Sequence, residues 1–112
     1  MQITETPHSN YVSLAPAGDL DANSSIAMDE AIQAQMDAGN FNLHIDCSEL
    51  IYISSAGLGV FISFMEELGA KGGKFVFSDM SDKIYKVFEL LGLHQLMKIV
   101  PLKGDVEKEF TA

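Results

Sequence analysis

Helical periodicity is the strongest pattern in the chain. The clearest helix is predicted over residues 55–68, where apolar residues recur at the spacing of one buried stripe. The stripe consists of Leu58, Phe61, Ile62, Met65 and Leu68. A helix is also predicted over residues 24–38, with Asp21, Asn23 or Ser24 as the residue that caps its start.

The second half of the chain predicts two more helices, and strands lie between the helical segments. Ser81 is a good N-cap for a helix that Gly92 ends, and residues 104–110 are expected to form a short terminal helix. Strands are predicted where apolar residues alternate with polar ones or where β-branched and aromatic residues cluster. The predicted strands are residues 2–6, 11–15, 43–47, 74–77 and 99–102.

The order of these elements predicts the fold class. Strands that alternate with helices indicate an α/β fold with a mostly parallel, mixed sheet. We expect four to five strands and three to four helices in one domain over residues 1–112. Two predicted loops, residues 16–23 and 48–57, follow strands, and sites in such sheets form beyond the carboxyl ends of the strands. The functional surface is therefore expected where these two loops meet.

Charge and composition exclude several classes of ligand. The chain has 16 Asp and Glu against 7 Lys and Arg, a formal net charge of -9, which disfavours nucleic acids and anionic membrane surfaces as partners. The longest apolar stretch is far too short for membrane insertion, and the N-terminus does not resemble a signal peptide. A cytoplasmic protein is expected. The single cysteine, Cys47, allows no internal disulfide and is expected in the core.

Residues 46–61, DCSELIYISSAGLGVF, contain the most informative motif. Ser54 is well placed as the N-cap of the helix over residues 55–68, and Ser55 is then the first helical residue, at the positive end of the helix dipole. Ala56 and Gly57 are small, so a partner's backbone or a phosphate donor could approach closely. Two serines before a helix are also consistent with capping alone.

The longer pattern resembles the signature of STAS domains, in particular the anti-sigma-factor antagonists. The matching residues are the two hydroxyl residues Ser54 and Ser55, which are followed by Ala56 and then by Gly57-Leu58-Gly59. Residues 18–21, GDLD, are also similar to the family's motif after its second strand. In that family the hydroxyl aligned with Ser55 is phosphorylated by the cognate anti-sigma factor. Many members have Asp before it, where this chain has Ser54, so Ser54 remains an alternative acceptor.

The resemblance implies a partner switch and not an enzyme. The unmodified protein would bind an anti-sigma factor that has serine kinase activity, would be released when Ser55 is phosphorylated, and would be restored by a PP2C-type phosphatase. No cofactor is implied. The residues expected to contact the partner are Gly18, Asp19, Asp21, Asn23, Ser54, Ala56, Gly57 and Leu58.

Three other functions are open from the sequence. The chain could be a STAS scaffold or subunit of another complex, either stressosome-like or involved in lipid transport, because fold does not fix function. It could be a receiver-like domain phosphorylated on Asp46, although a convincing N-terminal acid pair is missing. A small enzyme or a metal site is disfavoured, because His8, His44 and His94 lack ligand spacing and Asp19, Asp21 and Asp46 are better explained as capping and contact residues.

Overall fold

The computed structural model of the protein describes residues 1–111, which form six strands and four helices. The strands are β1 (Gln2–Pro7), β2 (Val12–Leu20), β3 (Asn42–Asp46), β4 (Leu50–Ile53), β5 (Lys74–Ser78) and β6 (Lys98–Val100). The helices are α1 (Ser24–Asp37), α2 (Ser55–Ala70), α3 (Asp82–Leu90) and α4 (Glu107–Phe110), with short 3₁₀ turns at Leu93–Gln95 and Lys103–Asp105.

The strands form one mixed sheet in the order β1-β2-β3-β5-β6, with β4 paired to the far end of β2. Only the β1–β2 pair is antiparallel, and the other pairs are parallel. The predicted α/β class with a mostly parallel, mixed sheet is therefore confirmed. The strand count is higher than the four to five expected, because β4 was not predicted.

Strand β2 is longer than its sequence suggests, so the loop predicted from residue 16 is wrong up to Leu20. Residues 12–14 pair with β3 and residues 18–20 pair with β4. Pro16 lies outside both of these ladders, so its missing N–H costs no bond to β3 or β4. Gly18 adopts a φ of 97° where the register shifts, a bulge that glycine accommodates easily.

Helices cover one face of the sheet, and the C-terminal segment packs on the other. Alternate residues of β5 point to opposite faces. Phe75 and Phe77 join the main core with α1, α2 and α3, whereas Val76 packs in a second cluster with Val100 and Val106. Tyr11 and Phe110 lie against this second cluster. We call the face that packs against α1, α2 and α3 the helix face, and the face that carries Val76 and the C-terminal segment the second face.

The predicted helix boundaries are explained by their caps. The hydroxyl oxygen of Ser81 accepts a hydrogen bond from the backbone N–H of Ile84 at 3.2 Å, and Gly92 has the left-handed φ of 73° that ends this segment. Helix α2 extends to Ala70, two residues beyond its predicted end. The expected C-terminal helix is present as α4, preceded by the 3₁₀ turn at Lys103–Asp105.

Candidate functional site

The end of β2 and the start of α2 are held together by backbone hydrogen bonds. The N–H of Ser54 donates to the carbonyl of Leu20 at 2.9 Å, and the N–H of Gly18 donates to the carbonyl of Glu49 at 2.9 Å. The two segments that the sequence predicted to meet do lie side by side. They meet as paired strands, β2 and β4, and not as two free loops.

Ser54 is the N-cap of α2. Its backbone is extended, and its hydroxyl oxygen accepts a hydrogen bond from the N–H of Gly57 at 3.3 Å. Its carbonyl accepts from the N–H of Leu58 at 3.0 Å. The side chain is only partly exposed. Because its oxygen satisfies a backbone donor that would otherwise be free, the capping role predicted for Ser54 is confirmed.

Ser55 is the first residue of α2, and its side chain is exposed. Within residues 1–111 its hydroxyl makes no hydrogen bond. Ala56, the next residue, is also exposed. The N-terminus of α2 therefore presents a free hydroxyl at the positive end of the helix dipole, beside a small side chain that does not shield it.

Gly57 and Leu58 lie beneath this surface. A Cβ atom on Gly57 would be 2.7 Å from Cγ of Leu20 and 3.1 Å from Cγ1 of Ile53, so glycine allows α2 to begin close to β2 and β4. Leu58 is 4% exposed and belongs to the main core. Because both residues are buried, we now expect them to support the surface, not to contact a partner.

Asp21 fixes the turn between β2 and α1. Its carboxylate accepts hydrogen bonds from the N–H groups of Asn23 and Ser24, at 3.1 and 3.0 Å, and from the Ser24 hydroxyl at 3.0 Å. Hydrogen bonds from Ser24, first from its backbone and then from its side chain, lower the pKa of the Asp21 carboxyl. Of the three candidate caps, Asp21 caps α1 with its side chain, whereas Asn23 makes no side-chain capping bond.

Ser24 holds the same turn from the other side. Its hydroxyl lies 2.7 Å from the carbonyl oxygen of Asp19 and accepts from the N–H of Asp21 at 2.8 Å. The side chains of Asp19 and Asn23 are exposed, and Gly18 is partly exposed. The turn is thus rigid in its backbone, while Asp19 and Asn23 are free to meet a partner.

Two exposed side chains on β4, two and three residues before Ser54, were missed from the sequence. Ile51 and Tyr52 on β4 are 66% and 45% exposed. The segment LIYI is rich in strand-forming residues, which is the signal that could have identified β4. The sequence predicts it as part of the loop over residues 48–57, and this is wrong for β4. Both side chains are exposed on the strand that precedes the start of α2.

Charge is divided unevenly between the two parts of the chain. Residues 1–70 contain ten Asp and Glu and no Lys or Arg, a formal charge of -10, whereas residues 71–112 contain six acids and seven lysines. The chain has no arginine. The end of β2, the turn before α1 and the start of α2 all belong to the acidic part. A complementary partner surface is therefore basic.

The residues behind the alternative sites considered from the sequence lie apart or in local structural contacts. Among residues 1–111 no three His, Cys, Asp or Glu side chains are grouped so that they could hold a metal ion. Asp46 accepts the N–H of Ser48 at 3.0 Å in a local turn. Cys47 is 2% exposed, and burial raises the pKa of its thiol, as expected for a core cysteine. None of the helices in the described part combines the length and the apolar character that crossing a membrane requires.

Comparison with known proteins identifies the family. A family model described as "Mlab, STAS domain" matches residues 1–101. The anti-sigma-B factor antagonist of Listeria monocytogenes is 28% identical over 97 residues, which cover 87% of this chain and 85% of the relative. That name denotes a regulator and not an enzyme, in agreement with the sequence-based expectation.

Solved structures of antagonists share the fold. The crystal structure of an anti-sigma factor antagonist from Mycobacterium paratuberculosis superposes with a TM-score of 0.88 at 22% identity, covering 97% of this chain and 92% of the other. The structure of the Bacillus cell fate determinant SpoIIAA in its phosphorylated form gives a TM-score of 0.74 at 20% identity, with coverage of 96% and 99%. The receiver-like interpretation is therefore wrong, and the chain belongs to the STAS domain family, with distant relatives that are anti-sigma factor antagonists.

Proposed function

We propose that this chain is an anti-sigma factor antagonist that works by partner switching. It binds an anti-sigma factor with serine kinase activity while Ser55 is unmodified, which frees a sigma factor. The anti-sigma factor then transfers the γ-phosphoryl group of ATP to Ser55 and dissociates, and a PP2C-type phosphatase regenerates the serine. The observation that supports this proposal most directly is the exposed, unengaged hydroxyl of Ser55 at the N-terminus of α2.

Ser55 is favoured over Ser54 as the acceptor because the two hydroxyls have different environments. The oxygen of Ser54 is occupied by the N–H of Gly57, and its side chain is partly covered. Phosphorylation of Ser54 would disturb the cap of α2, and an N-cap serine typically stabilises a protein by about 1 kcal/mol. Phosphorylation of Ser55 leaves that cap in place.

The fold is expected to tolerate a phosphate on Ser55. A phosphate at a helix N-terminus interacts favourably with the dipole and with the free N–H groups of the first turn. The exposed position of Ser55 also leaves the group in water. SpoIIAA, which shares this fold, has been solved in a phosphorylated form. We therefore expect the modified protein to remain folded.

Release is expected to follow from charge. A phosphate adds about -1.5 to -2 charges at pH 7, in a part of the chain that contains ten acids and no Lys or Arg. In a complex the group would be pressed against the partner surface that Ser55 had touched. An uncompensated charge buried in this way costs about 3–5 kcal/mol, and each 1.4 kcal/mol changes Kd about tenfold. A weakening of about 100-fold or more is expected.

The contact surface that we propose consists of exposed and partly exposed residues near Ser55. It comprises Gly18, Asp19, Asn23, Ser54 and Ala56, with Asp21 holding the turn and with Ile51 and Tyr52 adding apolar area. Aromatic residues in the centre of an interface are often the energetically important ones. Tyr52 is therefore the first residue to replace in a binding study.

The proposal is tested by incubating the protein with kinase-type anti-sigma factors and ATP and then mapping the modified residue. The expected product is phosphorylated on Ser55. Ser54→Ala is the matched control and should still be modified on Ser55, whereas Ser55→Ala should bind the anti-sigma factor and remain unmodified. Phosphate found on Ser54 in the parent protein, or retained in Ser55→Ala, would contradict the assignment.

A second candidate is a STAS scaffold or subunit of another complex, stressosome-like or involved in lipid transport. The description of the matched family model, which names Mlab, favours keeping this candidate. In that case Ser55→Ala and Ser55→Asp would assemble equally well with the complex, and no kinase-type anti-sigma factor would bind. We propose a cytoplasmic location and a single domain over residues 1–112 for either role.

A further inference from the structure

A continuous chain of hydrogen bonds crosses the second face of the sheet, away from α2. Nε2 of His8 lies 3.0 Å from the hydroxyl of Ser13, and that hydroxyl lies 2.7 Å from Nδ1 of His44. Nε2 of His44 lies 2.7 Å from the hydroxyl of Ser78, which donates to the carboxylate of Asp79 at 2.8 Å. Only 3% of His44 is exposed, and Ser13 and Ser78 are buried. The chain therefore links exposed His8 to the far end of β5 through the interior.

Asp79 fixes the direction of every bond in this chain. Because an ionised carboxylate only accepts, the Ser78 hydroxyl proton points to it, and the Ser78 oxygen must accept from Nε2–H of His44. In a neutral imidazole the other nitrogen is then an acceptor, so Nδ1 of His44 takes the proton of Ser13. The Ser13 oxygen in turn accepts from Nε2–H of His8. With both imidazoles neutral, each donor in the chain has one acceptor.

An added proton is accommodated on one imidazole but not on both. A proton from solvent on His8 leaves every bond unchanged, because Nε2 of His8 is already a donor. If His44 is also protonated, its Nδ1 becomes a donor. The Ser13 oxygen can accept from both rings, but its own proton then loses its acceptor, and two cationic rings face each other across one oxygen. The charged or titratable groups around His44 are Asp46 on its own strand, Asp79 after β5, His8 after β1, Lys103 in a 3₁₀ turn and the Tyr11 ring at 6.1 Å.

His8 is also part of an aromatic stack that reaches the C-terminal helix. Its ring stacks on Tyr11 with centroids 4.3 Å apart, and Tyr11 stacks on Phe110 of α4 with centroids 4.8 Å apart. Tyr11 and Phe110 pack against the cluster that contains fully buried Val106. The position of His8 is thus coupled to the packing of α4 on the sheet.

We propose that His8 and His44 form a proton-sensitive latch on the second face of the sheet. The pair holds one added proton, and the second proton drives His8 away from Ser13, which breaks the stack on Tyr11 and Phe110 and loosens α4. Burial lowers the pKa of His44, against the opposing effect of Asp46 and Asp79 and with further lowering by His8 and Lys103. The latch therefore opens in acid, when His44 takes up its proton.

The coupling is tested by following both imidazoles of the full chain through a pH titration with ¹⁵N NMR. At neutral pH His44 should be the Nε2–H tautomer. In His8→Gln the amide still donates to Ser13 without a charge and can rotate to accept, so the pKa of His44 should rise. His94→Gln, which lies outside the chain of hydrogen bonds, is the control and should leave the pKa of His44 unchanged.

The latch itself is tested in the same titration by the ring signals of Tyr11 and Phe110. They should lose their mutual stacking shifts in the step that protonates His44, and not in an earlier step. The His8 side chain is exposed, so the His8→Gln variant keeps the core. An unchanged pKa of His44 in His8→Gln overturns the coupling, and ring signals that stay constant through both steps overturn the latch.

Discussion

The replacement Gly57→Ala tests whether the start of α2 must lie close to β2. The added Cβ atom would be 2.7 Å from Cγ of Leu20, 3.0 Å from the backbone oxygen of Leu20 and 3.1 Å from Cγ1 of Ile53. The oxygen belongs to a paired strand and cannot move alone, so α2 must shift. Overpacking of this kind costs about 1–3 kcal/mol, while alanine in place of glycine in a helix gains about 1 kcal/mol.

Gly59→Ala is the matched control, one helical position beyond Leu58 and in the same helix. A Cβ atom at Gly59 meets nothing within 4 Å, so this variant receives only the gain in helix propensity. The difference in free energy of unfolding between the two variants therefore isolates the clash, at about 1–3 kcal/mol.

Urea denaturation followed by circular dichroism measures both free energies of unfolding, and it suits a chain without tryptophan. Gly57→Ala should unfold at lower urea than Gly59→Ala, which should be at least as stable as the parent. Equal stability of the two variants, or a more stable Gly57→Ala, would refute the close approach of α2 to Leu20 and Ile53. Binding of a partner should also weaken in Gly57→Ala, because the shift of α2 displaces Ser55.

Four further predictions concern the same surface. Ser54→Ala should lose about 1 kcal/mol of stability in the same denaturation assay, and no loss would contradict its capping role. Hydrogen bonds lower the pKa of the Asp21 carboxyl in the folded state. Its contribution to the free energy of unfolding is therefore present above its unfolded pKa and is lost as the pH falls through its folded pKa. The free energy of unfolding of Asp21→Asn should decrease less than that of the parent as the pH is lowered. Association with a basic partner should slow as salt increases, measured by stopped flow, because the N-terminal part of the chain is acidic. Ser55→Ala should bind the anti-sigma factor and should not be released by its kinase activity. Ser55→Asp should have a higher Kd for the anti-sigma factor than the parent, measured by titration calorimetry.

The helices and most strands could be predicted because their signals are local. The apolar stripe over residues 58–68, the cap Ser54 and the cap Ser81 are all visible as patterns of neighbouring residues. Both caps are confirmed, and Leu58, Phe61 and Leu68 of the stripe are buried. The stripe is wrong at Ile62, which is 44% exposed. The class of sheet follows from the order of elements alone. The sequence could also place Cys47 in the core, because it ends an apolar stretch, and this is confirmed by its 2% exposure.

The errors concern features that depend on distant partners. Pro16 and Gly18 indicated a loop, yet β2 continues through both because β1 pairs along one edge and β3 and β4 divide the other. Strand β4 was missed because four residues form a strand only when β2 offers an edge. The burial of Gly57 depends likewise on where Leu20 and Ile53 lie.

The surroundings of His44 show the same limit at a single residue. His44 is buried and hydrogen-bonded, but its partners Ser13 and Ser78 lie 31 and 34 residues away along the chain. Only the registers of β2 with β3 and of β3 with β5 bring the three side chains together. No local pattern contains that information.

We expect a phosphate on Ser55 to release the partner by its charge while the fold stays intact. The most direct measurement compares the affinity of the cognate anti-sigma factor for unmodified protein and for protein fully phosphorylated on Ser55, with amide NMR spectra of both. We predict a Kd at least about 100-fold weaker for the phosphorylated form and spectral changes confined to the start of α2 and its neighbours. Equal affinities, or a spectrum of an unfolded chain after phosphorylation, would contradict the account.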